Sequence, residues 1–333
     1  MVTVIIPTYK RADYIKRAID SVLNQTYQDF ELIIVDDNNP RTKERLKLEK
    51  TIEPYLTNSK IKFIQHEKNK NGAAARNTAI NVARGEYITF LDDDDFYLKK
   101  RLEILVQALE KNKEYNAAYT GGVILYKNIF QATKSSNGQR EFLEQHSFIK
   151  TGSNMFFRAE TLKKLKGFDE TFSRHQDLEI MIRFFRENKI LAVNQILVVK
   201  DNSSRINELN IKKAIRARKK LMNTFQEDIN KYPDRDALIQ RNYIPLLIEA
   251  AKLKNKKYYY FLKRKVLQYG KISTKLKIKL FIYSLLKNNV EMKRKLQEYI
   301  TKIKINKLDR EISTEIKSII KNYKCEETNE KSK

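Results

Sequence analysis

Tyr87-Ile88-Thr89-Phe90-Leu91-Asp92-Asp93-Asp94-Asp95-Phe96-Tyr97 decides how the chain is read. A short apolar run of strand length ends in four consecutive carboxylates. Four like charges in a row repel one another and resist burial. A hard divalent cation bound to oxygens rewards keeping them together. Mg²⁺ takes one or two protein carboxylates and completes its shell with water and phosphate oxygens. The stretch therefore points to a metal-assisted phosphate site at a strand end. A solvated acidic turn is the competing reading of any acidic run, and the flanking elements decide between the two.

Upstream, Val2-Thr3-Val4-Ile5-Ile6, closed by Pro7, and Phe30–Val35, closed by Asp36-Asp37, are continuous apolar runs. Such runs are buried on both faces of a parallel sheet. Ile61-Lys62-Phe63-Ile64 is a third strand. Ile15, Ala18, Ile19 and Val22 recur at helical spacing and predict a helix over 12–24. A charged helix is expected within 41–56. Another opens at Asn71-Gly72 and stops at Arg84-Gly85. Strands alternating with helices mean an α/β domain with a mostly parallel, Rossmann-like sheet flanked by helices. In such sheets ligands sit beyond the carboxyl ends of the strands. Pro7-Thr8-Tyr9-Lys10-Arg11, Asp36-Asp37-Asn38 and Asp92–Asp95 all fall there, so three polar clusters converge on one crevice. That convergence favours the metal-phosphate reading. No Gly-x-Gly-x-x-Gly follows the first strand and no Gly-Lys-Ser/Thr loop exists, which argues against a dinucleotide enzyme and a Walker-type ATPase.

Downstream, Leu102, Leu105, Val106 and Leu109 mark a helix, followed by strands over Ala117–Tyr126 and Ser153–Phe157. A helix opens at Asp177, and Ile190–Val199 is the last strand. The polar segments 131–141 and 200–206 are candidates for a lid. Residues 1–205 thus read as the α/β domain. Residues 206–325 read as a smaller, Lys-rich, all-helical module, and 326–333 as a disordered polar tail. Charge divides the same way. Of the formal +26, residues 1–200 hold 33 Lys/Arg against 26 Asp/Glu, and the remainder holds 34 against 15. The basic rear suits an anionic partner. The single cysteine, Cys325, excludes a disulfide framework or cysteine-rich metal site. No apolar run approaches the ~18–20 residues of a membrane span. With no signal peptide ahead of Val2, a cytoplasmic setting is expected, with peripheral contact on the inner face of the membrane as its extension.

The ordered pieces Val4-Ile5-Ile6-Pro7-Thr8-Tyr9, Ser21–Thr26, Glu31–Asp37, Ala74-Ala75-Arg76-Asn77, Asp92–Asp95 and Gln176-Asp177 resemble the family 2 glycosyltransferases, which have the GT-A fold. The resemblance covers about the first 200 residues and leaves the C-terminal part uncovered. It implies inverting transfer of a sugar from a nucleotide donor, usually a UDP-sugar, to an acceptor hydroxyl, with Mn²⁺ or Mg²⁺ as cofactor. It also implies roles. Thr8 and Tyr9 line the base pocket, with Pro7 setting the turn. Asp36 bonds the uracil N–H. Arg76 sits over the base or the diphosphate. Asp92 reaches the ribose, and Asp94 holds the metal, while Asp93, counted with the nucleotide-binding residues, and Asp95 are positions where members vary. Asp177 matches the general base. The family's histidine after the last strand is replaced by Lys200-Asp201-Asn202, which leaves the remaining metal ligand open between Asp201 and His175.

Each residue has a plainer reading. Pro7-Thr8 can simply end a strand. Asp36 can cap a helix, and so can Asp177. Arg76, near a helix N-terminus that disfavours a cation, suits a residue reaching towards phosphate. Two other functions compete. A sugar nucleotidyltransferase usually carries a Gly-rich basic loop where this chain has Pro7–Arg11. A non-enzymatic polyanion binder would explain the basic rear but not the acidic crevice, and no nucleic-acid signature supports it. The expected acceptor is a surface glycan, lipid-linked or protein-linked. The rear helices are expected to serve packing, an anionic membrane surface or a second copy of the chain.

Overall fold

The computed structural model describes residues 1–125, 128–144, 146–201, 210–285, 304–306 and 308–330. Four parallel strands form one half of a mixed sheet: β1 (Val2–Thr8), β2 (Phe30–Asp36), β3 (Ile61–Gln65) and β4 (Tyr87–Phe90). Their spatial order is β3-β2-β1-β4. The sheet continues through β8 (Phe156–Arg158), β6 (Ala117–Ile124), β9 (Ile190–Lys200) and β5 (Phe96–Tyr97), with β7 (Asn128–Phe130) beside β6. β8 runs antiparallel to both β4 and β6, and β5 runs antiparallel to β9. The register pairs Thr8 with Asp36 and Ile5 with Phe90, which brings three strand ends to one edge.

The apolar runs are buried on both faces, as parallel strands require. Val2, Val4 and Ile6 share a core with Leu32 and Ile34 on one face. That face is covered by α1 (Ala12–Leu23), through Ile15, Ala18, Ile19 and Val22, and by α4 (Arg101–Lys111), through Leu102, Leu105 and Leu109. Ile5 and Ile33, also fully buried, point the other way. There α3 (Gly72–Ile80) packs on β1 and β2, its Ala73, Ala74 and Ala75 small enough for close approach. Gly122 in β6 admits no side chain, because a Cβ would lie 2.6 Å from the Val198 carbonyl, beside the register shift between β6 and β9.

By contacts, the chain divides into two units. One comprises 1–137, 148–205 and 294–333 and carries the whole sheet, together with α2 (Lys43–Ile52), α6 (Ala159–Lys164) and α7 (Gln176–Phe184). Residues 294–333 belong to this unit. Ile305 and Ile316 pack in a second core with Phe96, Leu98, Val123 and Val199. Ile316 lies on the last helix, which spans Arg310–Glu330 and takes in most of the stretch read as a polar tail; 331–333 lie outside the described residues.

The second unit comprises 138–147 and 206–293. It is helical: α5 (Gln139–Leu143), α8 (Ile211–Thr224), α9 (Gln226–Asn230), α10 (Arg235–Lys252), α11 (Lys256–Gln268) and α12 (Thr274–Leu285). The last helix of the chain is therefore α13. Pro245 lies inside α10, where it removes the N–H that would bond the Arg241 carbonyl. The buried Arg218 donates to the next carbonyl, Asn242, at 2.9 Å. Burial pushes the Arg218 guanidinium down to about 10.

Glu31 ties the sheet's amino-terminal edge together. Its carboxylate accepts from the Thr3 hydroxyl at 2.7 Å, the Arg84 N–H at 2.7 Å and Arg84 Nε at 3.0 Å. Burial alone would raise its pKa, but these donors outweigh burial and hold it below the usual carboxylate value. A depressed folded-state pKa contributes stability above the unfolded value of about 4.3 that is lost as pH falls through the folded one. Glu31→Gln is expected to cost about 1–3 kcal/mol at pH 7. Urea denaturation of both proteins should show that difference shrinking below about pH 4.

Candidate active site

The four aspartates follow β4 and are held in place one by one. Asp92 is half-buried. Its N–H donates to Ser153 Oγ at 3.0 Å, and its carboxylate takes Arg76 Nη2 at 2.6 Å. Asp93 and Asp94 share Arg11, whose Nη1 lies 3.2 Å from Asp93 and also bonds Asp94. Asp95 accepts from Ser153 Oγ at 2.6 Å, Thr151 Oγ1 at 3.1 Å and the Asp201 N–H at 3.0 Å. Arg17 clamps the turn from beneath, donating to the Asp94 carbonyl at 2.5 Å and pairing with Asp201 at 2.9 Å.

Electrostatics follow from this crowding. Burial pushes the Asp93 carboxyl up to about 7, with Arg11 opposing and Asp94 adding to the shift. Burial also pushes Asp95 upward, opposed by Lys200 and reinforced by Asp94 and Asp92. Burial opposes the charge on Arg11 too, but Asp93, Asp94 and Asp92 outweigh it and hold the guanidinium protonated. Carboxylate oxygens of Asp92, Asp94 and Asp95 lie within 4.8 Å of one another. Hard oxygen donors at that spacing suit Mg²⁺ or Mn²⁺. The cluster carries more negative charge than its guanidinium neighbours comfortably balance, so these residues fit a divalent ion.

The approach to this turn is set by Asp37. It accepts from His66 Nδ1 at 2.8 Å and from the backbone N–H groups of Lys70 at 2.7 Å and Asn71 at 2.9 Å. Asn71, at φ +97°, then caps α3 through its own side chain. The helix so started projects Arg76 from its second turn. Arg76 Nη1 donates to Gln176 Oε1 at 2.8 Å while Nη2 holds Asp92. One guanidinium thus spans from the acidic turn to the first residue of α7, and Asp177 is the second. A cavity of about 270 Å³ lies on one side, lined by Pro7, Thr8, Tyr9, Asp37, Arg76 and Asp92 among others. A second, of about 200 Å³, lies on the other, lined by Arg76, Asp92, His175, Asp177 and Lys200 among others. They share Arg76 and Asp92 as a common wall.

The residues singled out from the sequence are therefore brought together, with two adjustments. Asp36 does not line either cavity. It is fully buried, pairs with Arg45 Nε at 2.8 Å and accepts from the Asn38 N–H at 2.8 Å. Burial raises its pKa against those partners. The cavity wall is its neighbour Asp37, because adjacent residues leaving a strand point to opposite sides. Of the two candidates for a further metal ligand, neither Asp201 nor His175 joins the oxygen cluster among the described residues. Arg11, Arg17, Ser153 and Gln176 carry site geometry without having been given a role; Arg11 was visible as part of the loop after β1, and Gln176 as part of the Gln176-Asp177 piece. Of the lid candidates, 202–206 lies outside the described residues. Ser136 is bridged to Ile190, and Asn137 bonds the Phe185 carbonyl.

Residues 3–166 match the family described as Glycosyl transferase family 2. Those residues form a domain of that family. An uncharacterized glycosyltransferase of Methanocaldococcus jannaschii is 36% identical over 192 residues, 55% of this chain and 64% of that protein. The Escherichia coli UDP-Glc:alpha-D-GlcNAc-diphosphoundecaprenol beta-1,3-glucosyltransferase WfgD is 37% identical over 112 residues, 34% of this chain and 42% of that protein. The chain thus spans less than two thirds of either relative. Among solved structures, S. aureus TarS 1-349 in complex with UDP-GlcNAc aligns with TM-score 0.60 at 16% identity, covering 90% of each chain. At that identity the likeness concerns the fold, which is GT-A with a helical C-terminal region.

Behind the site lies a buried support. Arg101 is fully buried, donates to Thr120 Oγ1 at 2.7 Å and Asn154 Oδ1 at 3.1 Å, and stacks over Tyr97. It fixes the turn bearing Ser153, whose hydroxyl joins Asp92 to Asp95. Ser153→Ala leaves a buried carboxylate short of a donor. It is expected to lower unfolding free energy by about 1–3 kcal/mol, read by urea denaturation with the m-value unchanged.

Proposed function

We propose that this chain transfers a sugar from a UDP-sugar to an acceptor hydroxyl with inversion, with Mn²⁺ or Mg²⁺ held at Asp94 and Asp177 as general base. The observation that carries the reading is the Arg76 bridge between Asp92 and Gln176. It sets the acidic turn and the first turn of α7 on the walls of one cavity. An inverting displacement needs the base and the leaving diphosphate on opposite faces of the sugar. Asp92, two residues before the metal-holding Asp94, and Asp177 line the same cavity, which supports that arrangement. The acceptor oxygen attacks C1, the C1–O bond to the diphosphate breaks, and Asp177 takes the hydroxyl proton. A bound divalent ion supplies neutralisation of the leaving diphosphate. Tyr9, 41% exposed on the cavity wall, offers a face to the base. Asp37 takes the base-recognition role first assigned to Asp36. The UDP-GlcNAc bound by TarS and the UDP-Glc and diphosphoundecaprenol in the name of WfgD support a UDP-sugar donor and a lipid-linked acceptor in surface polysaccharide synthesis.

Metal removal tests the acidic turn. EDTA is expected to abolish transfer and Mn²⁺ or Mg²⁺ to restore it, while Asp94→Ala stays inactive with either ion. Full activity in EDTA would exclude the metal role.

Asp177→Asn is expected to keep UDP affinity near normal, by calorimetry, while transfer falls about 10²–10⁴-fold. Normal transfer by this variant would place the base elsewhere.

The two adjacent aspartates are separable. Asp37→Asn is expected to weaken UDP binding about 10–100-fold. Asp36→Asn should lower stability instead and leave UDP affinity near normal, so the reverse pattern would return base recognition to Asp36.

A further inference from the structure

Residues 250–285 carry eleven Lys/Arg and no Asp or Glu. They span the end of α10 and the whole of α11 and α12. Each of the last two helices has a buried stripe, Leu262 and Val266 on α11 and Leu276 and Leu280 on α12. Each also shows large apolar side chains to solvent. On α12, Ile278 is 55% exposed and Phe281 64% exposed, with Ile282 beside them. The spacing i, i+3, i+4 places all three on one face. On α11, Tyr260, at 61% exposure, and Leu267 are exposed one heptad apart, with Phe261 alongside. The two helices meet over a groove of about 750 Å³. It is lined by Ile272 and Leu280, which are buried, by Leu267 and Phe281, which are exposed, and by Lys263, Lys271 and Lys277.

Lysines alone would be an ordinary solvated face. Exposed apolar side chains alone would suit a second copy of the chain. Together, without a single acidic residue, they have a narrower meaning. Eleven cations in one 36-residue stretch repel a second copy of the same surface. A soluble polyanion answers the charge but leaves Tyr260, Ile278 and Phe281 in water. An anionic lipid surface answers both, with apolar side chains entering the headgroup and acyl boundary and lysines meeting the headgroups. We propose that the α11–α12 face docks on an anionic lipid bilayer, with Tyr260, Ile278 and Phe281 as the inserting side chains. No helix among the described residues is long and apolar enough to cross a membrane, so the contact is with the surface. The inference does not depend on the proposed chemistry, because none of these residues lines the active-site cavities.

The test is co-sedimentation of the full chain with vesicles. Neutral phosphatidylcholine vesicles are compared with vesicles containing about a third phosphatidylglycerol, at low and high salt. Binding to the anionic vesicles is expected, at least about tenfold stronger than to neutral ones, and weakened by salt as screening dictates. Phe281→Ser and Ile278→Ser should each reduce binding about tenfold, with circular dichroism and thermal midpoint unchanged because both side chains are exposed. Lys275→Glu with Lys277→Glu should do the same. Loss of binding in the lysine variant with none in the serine variants would mean a polyanion site and overturn the proposal. So would a folded wild-type chain that stays in the supernatant, or one that forms a dimer through these side chains. Because the readout is sedimentation, its failure leaves the transferase reading untouched, and an inactive chain that still binds leaves this one standing.

Discussion

Four adjacent carboxylates at the end of β4, three of them buried, are the constraint around which the sheet unit is organised. Water would solvate such a turn readily. Here Asp94 and Asp95 are fully buried and Asp93 nearly so, so every oxygen must find a protein donor or a cation. The donors come from four separate parts of the chain: Arg11 and Arg17 around α1, Arg76 on α3, Thr151 and Ser153 before β8, and the Asp201 N–H after β9. Charged groups brought together from such distances hold only if the strands beneath are rigid. That is what a sheet buried on both faces provides.

A second buried layer keeps the donors in place. Arg101 sits among Thr120, Asn154 and the Ser153 carbonyl, with its guanidinium over Tyr97. Burial lowers its pKa, with Tyr97 opposing. A buried cation held mainly by neutral acceptors is a costly element. Its effect is to fix the short turn before β8, where a displaced Ser153 would release both Asp92 and Asp95. The site is thus two shells deep, with cations and hydroxyls towards the cavity and a neutral hydrogen-bonded network towards the core.

The distribution of charge separates the two units as clearly as their architecture does. In the sheet unit, arginines are consumed internally: Arg11, Arg17, Arg45, Arg76 and Arg101 all pair or hydrogen-bond within it. Their planar, forked donors match carboxylates and carbonyls in fixed geometry. In the helical unit, lysines dominate α11 and α12 and point outward. Lysine's hydrated ammonium on a long stem suits a diffuse anionic surface better than a built site. The same formal charge therefore serves internal order in one unit and external contact in the other.

The parallel half of the sheet was legible in the sequence because its strands are uninterrupted apolar runs, and α1 because its apolar residues recur at helical spacing. The acidic turn was legible because Asp92–Asp95 falls at a strand end beside two other strand-end clusters, Pro7–Arg11 and Asp36–Asn38, a convergence that a solvated turn does not explain. β5 and β7, two and three residues long, left no pattern to read. They exist because longer partners offer them a place, and that depends on residues far away in the chain. The choice between Asp36 and Asp37 could not be made from the sequence. Both follow the same strand, and only the packing of Arg45 beneath one of them decides which carboxylate reaches the cavity. The same holds for Ile305 and Ile316, whose place in a core with Phe96 and Val199 depends on residues far away in the chain. Local periodicity and composition determined the longer strands, the helices and where their polar ends fall. Tertiary structure alone decided which cation meets which carboxylate, because such pairs form between segments whose separation in sequence carries no trace of their distance in space.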